Sequence, residues 1–242
     1  MSLTVPLDED YHVHSTFSDG ASTVADNVAV ARDRGLRRLC LTDHVRAATG
    51  WLPDYVAAVA ALQPDDGTEL VTGVEAKILD SGGQLDLPGD LAGIELVLIA
   101  DHQFPAEHGP VLPGELRVLI ERGTIGGAEA IEDLVDATAA ALTAVTGPRV
   151  LLAHLFSILP KLGLDESAVP DASLARLARR AAEAGAMLEI NEKWSCPSAR
   201  TVGAFGSAGV PVVAGSDSHD CASIGVFPSV RQTLDAVAAG RR

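Results

Sequence analysis

The chain has 242 residues with 47% hydrophobic content, enough for one globular domain spanning 1–242 with no need of a second. Its formal charge of −15 argues against a surface that holds long nucleic acid through phosphates, since that mode depends on Lys and Arg. Bound metal ions are absent from such a count and can reverse the field locally, so a small anionic substrate stays open. No run of about 20 apolar residues reads as a membrane span. The start lacks a basic stretch followed by an apolar one, and Cys40, Cys196 and Cys221 have no paired spacing, so a reduced, cytoplasmic protein is expected.

Seven short aliphatic or β-branched runs read as strands, with helical patterns between most of them. The first run, Tyr11 to Val13, precedes a helix over Thr23 to Arg34. Arg38 to Leu41 is followed by a helix over Pro53 to Leu62, then by a run from Leu70 to Ala76. Ser81 to Pro88 reads as a loop or small hairpin before the run Glu95 to Ala100. Gly123 to Gly127 reads as a loop near the site entrance, ahead of a helix over Ala128 to Val145. Val150 to Ala153, a helix over Ser173 to Ala184, Met187 to Ile190, a helix over Pro197 to Ala208 and Val210 to Ala214 complete the series. Gly35, Gly185 and Gly209 each end a helix and lead into a strand, as a left-handed C-cap requires. Strands alternating with helices imply a parallel sheet.

Of the seven histidines, all but His108 fall at or just past the end of one of these runs. In a parallel barrel the C-terminal strand ends form one face, so residues distant in sequence converge there. His12 and His14 are two apart on a strand and can leave the same face toward one cation. Asp19 follows in Ser-Asp-Gly, where a turn or capping aspartate is the plain reading. Thr-Asp-His closes the second run with Asp43 and His44. Glu75 ends an apolar run, where a carboxylate is costly to bury without a cation or a hydrogen-bond donor. Asp101 and His102 follow the fourth run, His154 the fifth, and Asp217 and His219 the last. Each alone fits a satisfied core or loop residue; their recurrence at strand ends points to a metal site. His108, in the loop Pro105 to Pro110, is expected at the surface.

These residues, in this order, resemble the PHP family, named for polymerase and histidinol phosphatase proteins. The motifs are Tyr-His-Val-His-Ser with Ser-Asp-Gly, Leu-Thr-Asp-His, Gly-Val-Glu, Ala-Asp-His, Leu-Ala-His and Gly-Ser-Asp-Ser-His, across residues 10 to 220. The resemblance implies a distorted (βα)7 barrel with a trinuclear site at the C-terminal ends of the strands. It implies that His12, His14, Glu75 and Asp217 hold a first cation. Glu75 then bridges to a second on His102 and His154, and Asp19, His44 and His219 hold a third. Family members use zinc, manganese or iron, and the mixed imidazole and carboxylate set suits any of these. The compact chain looks more like the family's stand-alone hydrolases than its enzymes dedicated to histidinol phosphate.

Three divalent ions against three ligating carboxylates leave roughly +3 in the pocket, which favours a phosphate monoester despite the acidic exterior. A metal-activated water then serves as nucleophile, with catalysis centred on Glu75, Asp217 and His219. Asp43 and Asp101 are candidates to orient neighbouring ligands, and their plain reading is as loop caps. Arg46, Lys77, Asn191 and Lys193 follow strands that feed the site and are candidates to contact a substrate phosphate or its alcohol. Hydrolysis of an amide or cyclic substrate, and a non-catalytic metal-bound interaction module, are the alternatives. Sequence leaves the oligomeric state open.

Overall fold

In the computed structural model, which describes residues 3–63 and 67–240, all seven expected strands form, with bounds displaced by a few residues. They are β1 (Glu9–Val13), β2 (Arg38–His44), β3 (Glu69–Lys77), β4 (Leu96–Ala100), β7 (Arg149–Leu152), β8 (Met187–Asn191) and β9 (Val212–Gly215). Between β4 and β7 lies an antiparallel hairpin of β5 (Phe104–Ala106) and β6 (Gly109–Val111), which the sequence reading did not anticipate. The termini of the expected 1–242 domain lie outside the described residues.

The seven long strands pair in the order β1-β2-β3-β4-β7-β8-β9, every pair parallel. The sheet curls on itself. His14 N donates to Ser218 O at 2.8 Å and Ser218 N to His12 O at 3.3 Å, so the segment after β9 meets the end of β1. The result is a distorted (βα)7 barrel, irregular in register between Asp10 and Val13. The period of two along each strand sorts the side chains. Cys40, Val71, Leu96, Leu98, Leu151, Met187 and Val213 fill the barrel interior. Their neighbours Leu39, Leu41, Leu70, Val74, Val97, Ile99, Leu152, Leu188 and Val212 join the outer core with the helices.

The helices are α1 (Val24–Asp33), α2 (Leu52–Ala61), α3 (Pro113–Glu121), α4 (Gly127–Ala141), α5 (Asp171–Glu183), α6 (Ala199–Ser207) and α7 (Pro228–Gly240). Five match the sequence reading; α3 and α7 are additional. At α1 the Thr23 side chain accepts from Asp26 N and the Asp26 carboxylate accepts from Thr23 N, a reciprocal cap that fixes where the helix starts. Gly35, Gly185 and Gly209 have φ of 69°, 66° and 84°, the left-handed exits expected of them. Ile78 bridges Leu85 in antiparallel sense, so Ser81 to Pro88 belongs to a small hairpin. The segment from Gly123 to Gly127 joins α3 to α4 and is not among the residues lining the cleft described below. Among the described residues no helix is long and apolar enough to cross a membrane.

Candidate metal centre

Parallel pairing brings the C-terminal ends of the strands to one rim, and the inward residues there are polar where those below are apolar. β1 delivers His12 and, one residue past its end, His14. β2 ends on His44, β3 turns Glu75 inward, and His102, His154, Asp217 and His219 follow β4, β7 and β9. Glu75 lies at the middle of the cluster. Its Oε1 is 2.8 Å from His154 Nε2 and 3.1 Å from His102 Nε2. Its Oε2 is 2.9 Å from His44 Nδ1, 3.3 Å from His12 Nε2 and 3.5 Å from His14 Nε2. Asp217 Oδ1 stands 3.3 Å from His14 Nε2, and Asp19 reaches His44 and His219 at 3.6 and 3.5 Å. Three groups have donor atoms close enough to share a cation: His12, His14 and Asp217; His44, Glu75 and His102; and His14, Asp19, His44 and His219.

The donor set fits divalent cations on a direct test. His12 Nε2, both ring nitrogens of His14 and Glu75 Oε2 are buried without a hydrogen-bond partner. Buried polar atoms left this way are costly, and four in one spot call for a ligand that imidazole nitrogen and carboxylate oxygen both bind. The electrostatics agree. Burial alone would neutralise Glu75, yet the charges of His102 and His12 hold its carboxyl well below the usual range. Asp217 is depressed likewise, against burial, chiefly by His12 and His14. Burial drives His14 down to about 3, while His154 is pushed up to about 10 against burial by Asp101 and Glu75. The two carboxylates thus stay ionised among the imidazoles, the charge state in which they bind a cation. His154 and Asp217 have φ of 30° and 53°, uncommon for non-glycine residues and typical of strained functional positions.

The surrounding polar groups hold these side chains in place. Asp43 accepts from the backbone and hydroxyl of both Ser15 and Ser18, at 2.6 to 3.2 Å, so it ties down the loop that carries Asp19 and makes no bond to His44. Asp101 accepts from Ser157 Oγ at 2.8 Å and lies 3.4 Å from His154 Nδ1, so the ring it orients is His154 and not its sequence neighbour His102. Glu189, which sequence reasoning passed over, is fully buried; its Oε1 lies 2.9 Å from His12 Nδ1 and its Oε2 accepts from His154 N at 2.6 Å. Its signal was the one that marked Glu75, a carboxylate inside an apolar strand. Asn191 is buried too, with its amide engaged by Glu189 and by Trp194 N, and lines neither recess of the cleft.

A cleft of about 620 Å³ opens over the cluster, lined by Phe17, His44, Arg46, Trp51, Lys77 and Gln103. Lys77 Nζ donates to Gln103 at 2.9 Å and sits 3.8 Å from Asp86. The exposed Arg46 guanidinium makes no ion pair or hydrogen bond among the described residues. A smaller recess of about 210 Å³ is bounded by Asp19, His102, Lys193, Trp194 and His219. Lys193 Nζ there is 3.4 Å from Asp217 Oδ1. His108 is exposed in the β5–β6 turn.

A nearly closed parallel barrel with a histidine and carboxylate cluster on its C-terminal rim defines a barrel protein with a candidate metal site at the strand ends. The PHP domain matches residues 10–193, and the chain belongs to the PHP family. A protein of Caldanaerobacter subterraneus subsp. tengcongensis named a probable phosphatase is 26% identical over 249 residues, covering 98% of this chain and 85% of that one. A probable phosphatase of Shewanella oneidensis is 29% identical over 243 residues, covering 94% and 82%. Among solved structures, histidinol phosphate phosphatase of Lactococcus lactis subsp. lactis, complexed with zinc, L-histidinol and phosphate, superposes with a TM-score of 0.67 at 19% identity, covering 95% of this chain and 93% of that one. That likeness is one of fold.

Proposed function

We propose that this protein is a metal-dependent phosphatase that hydrolyses a small phosphate monoester at a trinuclear centre. The carrying observation is the group of buried, partnerless ligand atoms on His12, His14 and Glu75, which calls for cations at the rim of a PHP barrel. His12, His14, Glu75 and Asp217 would hold one ion, Glu75 with His102 and His154 a second, and Asp19, His44 and His219 a third. When bound, such ions lower the pKa of water toward about 7 and neutralise charge on phosphate oxygens.

The protein's own groups do the rest. Glu75 and Asp217 stay ionised in a buried setting, so they offer charge without taking a proton from the reacting water. Arg46, whose guanidinium has no partner among the described residues, suits a bidentate grip on a phosphate oxygen pair, with Lys77 and Lys193 adding point charges. A small phosphorylated substrate is supported by the phosphatase names of the relatives and by the L-histidinol and phosphate of the Lactococcus structure. Zinc, manganese and iron all suit the donor set. Cys40, Cys196 and Cys221 are free thiols, and a cytoplasmic location is part of this proposal.

Elemental analysis of protein purified without chelator, joined to assays on phosphomonoesters, phosphodiesters and amides with each metal, tests the reading. The expected result is bound metal and phosphate release from a monoester. Metal near zero, or turnover of amides with no phosphate released from any ester, rules it out.

A further inference from the structure

Among the seven barrel strands, β8 alone brings no candidate ligand to the centre. Its inward side chains instead begin a hydrogen-bonded path. Glu189 Oε1 lies 2.9 Å from His12 Nδ1 and accepts from Asn191 Nδ2 at 3.1 Å. Asn191 Oδ1 accepts from Trp194 N at 2.9 Å, and the Trp194 indole Nε1 donates to Asp217 Oδ2 at 2.9 Å. The path leaves one member of the His12, His14 and Asp217 group and returns to another.

We propose that β8 and the turn after it form a clamp, in which Glu189, Asn191 and Trp194 are positioning residues that aim His12 and Asp217 at one cation. This rests on the metal centre proposed above.

Each contact settles one atom. With its Nδ1 side engaged by Glu189, His12 turns Nε2 toward the cluster, 3.3 Å from Glu75 Oε2 and without a hydrogen-bond partner. With Oδ2 held by the indole, Asp217 faces the cluster through Oδ1 alone, 3.3 Å from His14 Nε2. The indole is itself held. Lys161 Nζ sits 4.0 Å from its ring centroid, and the backbone N is fixed by Asn191. Glu189 Oε2 also takes the backbone N–H of His154, whose φ of 30° needs such support. A glutamine cannot replace that carboxylate, because an amide has a single acceptor oxygen while Glu189 accepts on both.

The test uses the full chain stripped of metal and titrated with zinc by calorimetry, with elemental analysis for stoichiometry. Trp194→Phe keeps an aromatic ring beside Lys161 and deletes the indole donor; Glu189→Gln keeps the shape and deletes an acceptor. Trp194→Phe is expected to weaken one zinc site about 10- to 100-fold and leave the others unchanged, and Glu189→Gln to weaken that same site and, through the His154 backbone it holds, the site His154 serves. The double variant should lose less than the product of the two, since either change opens the same path. Unchanged affinity at every site in Trp194→Phe overturns the clamp, as does equal weakening of all sites. If Glu189→Gln does not fold, Trp194→Phe alone decides. His12→Ala and Asp217→Ala run alongside: zinc uptake unaffected by these would remove the metal centre itself, a result distinct from failure of the clamp alone.

Discussion

Gly215 on β9 and Glu189 on β8 face each other with no room for a methyl group: a Cβ on Gly215 would lie 1.8 Å from Glu189 Oε1 and 2.8 Å from His12 Cβ. Both neighbours are fully buried, so neither has solvent to move into. Gly215→Ala is therefore expected to destabilise the fold by about 1–3 kcal/mol, the usual cost of overpacking. It should weaken zinc binding as well, because the displaced carboxylate orients His12. Denaturant unfolding with and without zinc measures both; an alanine variant as stable as the parent would mean that Glu189 can swing clear.

The metal-free protein carries a pH signature. His154 is pushed up to about 10 from a model-compound value of 6.5: burial works against its charge, but hydrogen bonds with Asp101 and Glu75 prevail. A histidine raised in the folded state contributes its stabilisation fully below about pH 6.5 and loses it as pH climbs through about 10. His12 shifts in the same direction, with Glu189 and Glu75 outweighing burial. Chelated protein is thus expected to melt at progressively lower temperature from about pH 6.5 to 10. Zinc-loaded protein should not follow, since cations replace those protons. A flat melting profile for the chelated form across that window would contradict the assignment.

Glu75 is the group on which the cluster turns, within 3.5 Å of ring nitrogens from five histidines. Glu75→Gln keeps the volume and removes the charge that they share. Loss of an outer hydrogen-bond partner alone costs about 10- to 100-fold in metal affinity or activity, so loss of this carboxylate should exceed about 100-fold in kcat/KM. Metal content should fall with it. A variant that retains both full metal content and activity would displace Glu75 from the centre.

The strands and the cluster were legible because both follow from parity. A run such as Leu70 to Val74 must be buried, and a carboxylate two positions past Gly73 then points inward with it. Glu189 obeys the same rule in Met187–Asn191 and could have been found that way. Trp194 had no local signal, since its tie to Asp217 exists only once β8 and β9 pair. The direction of Asp101 toward His154 is likewise a product of the β4–β7 pairing. The helices that escaped the sequence reading bury little: α3 buries only Leu116, and α7 only Val230 and Val237. With so few apolar positions, neither writes a helical period strongly into the sequence.

Thiol reactivity should separate the three cysteines. Cys40 lies in the barrel interior and Cys196 is buried where the turn that carries Trp194 closes on Asn191, and burial pushes both thiols well up. Thiolate is the reactive form, so both should resist alkylation in the native protein. Iodoacetamide at neutral pH is expected to label Cys221 alone, which is partly exposed, and all three after denaturation. Peptide mass spectrometry reads the pattern. Native labelling of Cys40 would mean that the barrel interior opens on the timescale of the reaction.

Arg46 offers the cleanest separation of binding from folding. Its guanidinium has no protein partner among the described residues, while its backbone is fixed by a turn in which Arg46 N donates to Thr49 Oγ1 at 2.8 Å. Removal of the side chain leaves no buried group unsatisfied, so Arg46→Ala should keep stability within about 0.5 kcal/mol. A hydrogen bond to a charged group contributes about 1.5–3 kcal/mol, which places the expected rise in KM at roughly 10-fold or more. Little change in kcat is expected if the contact forms in the ground state and persists in the transition state. Lys77→Ala is a less clean probe, because it also leaves Asp86 and Gln103 without their cation. Steady-state kinetics on the best phosphomonoester distinguishes the cases: an unchanged KM would take Arg46 out of the substrate site, and a loss confined to kcat would move its contact to the transition state.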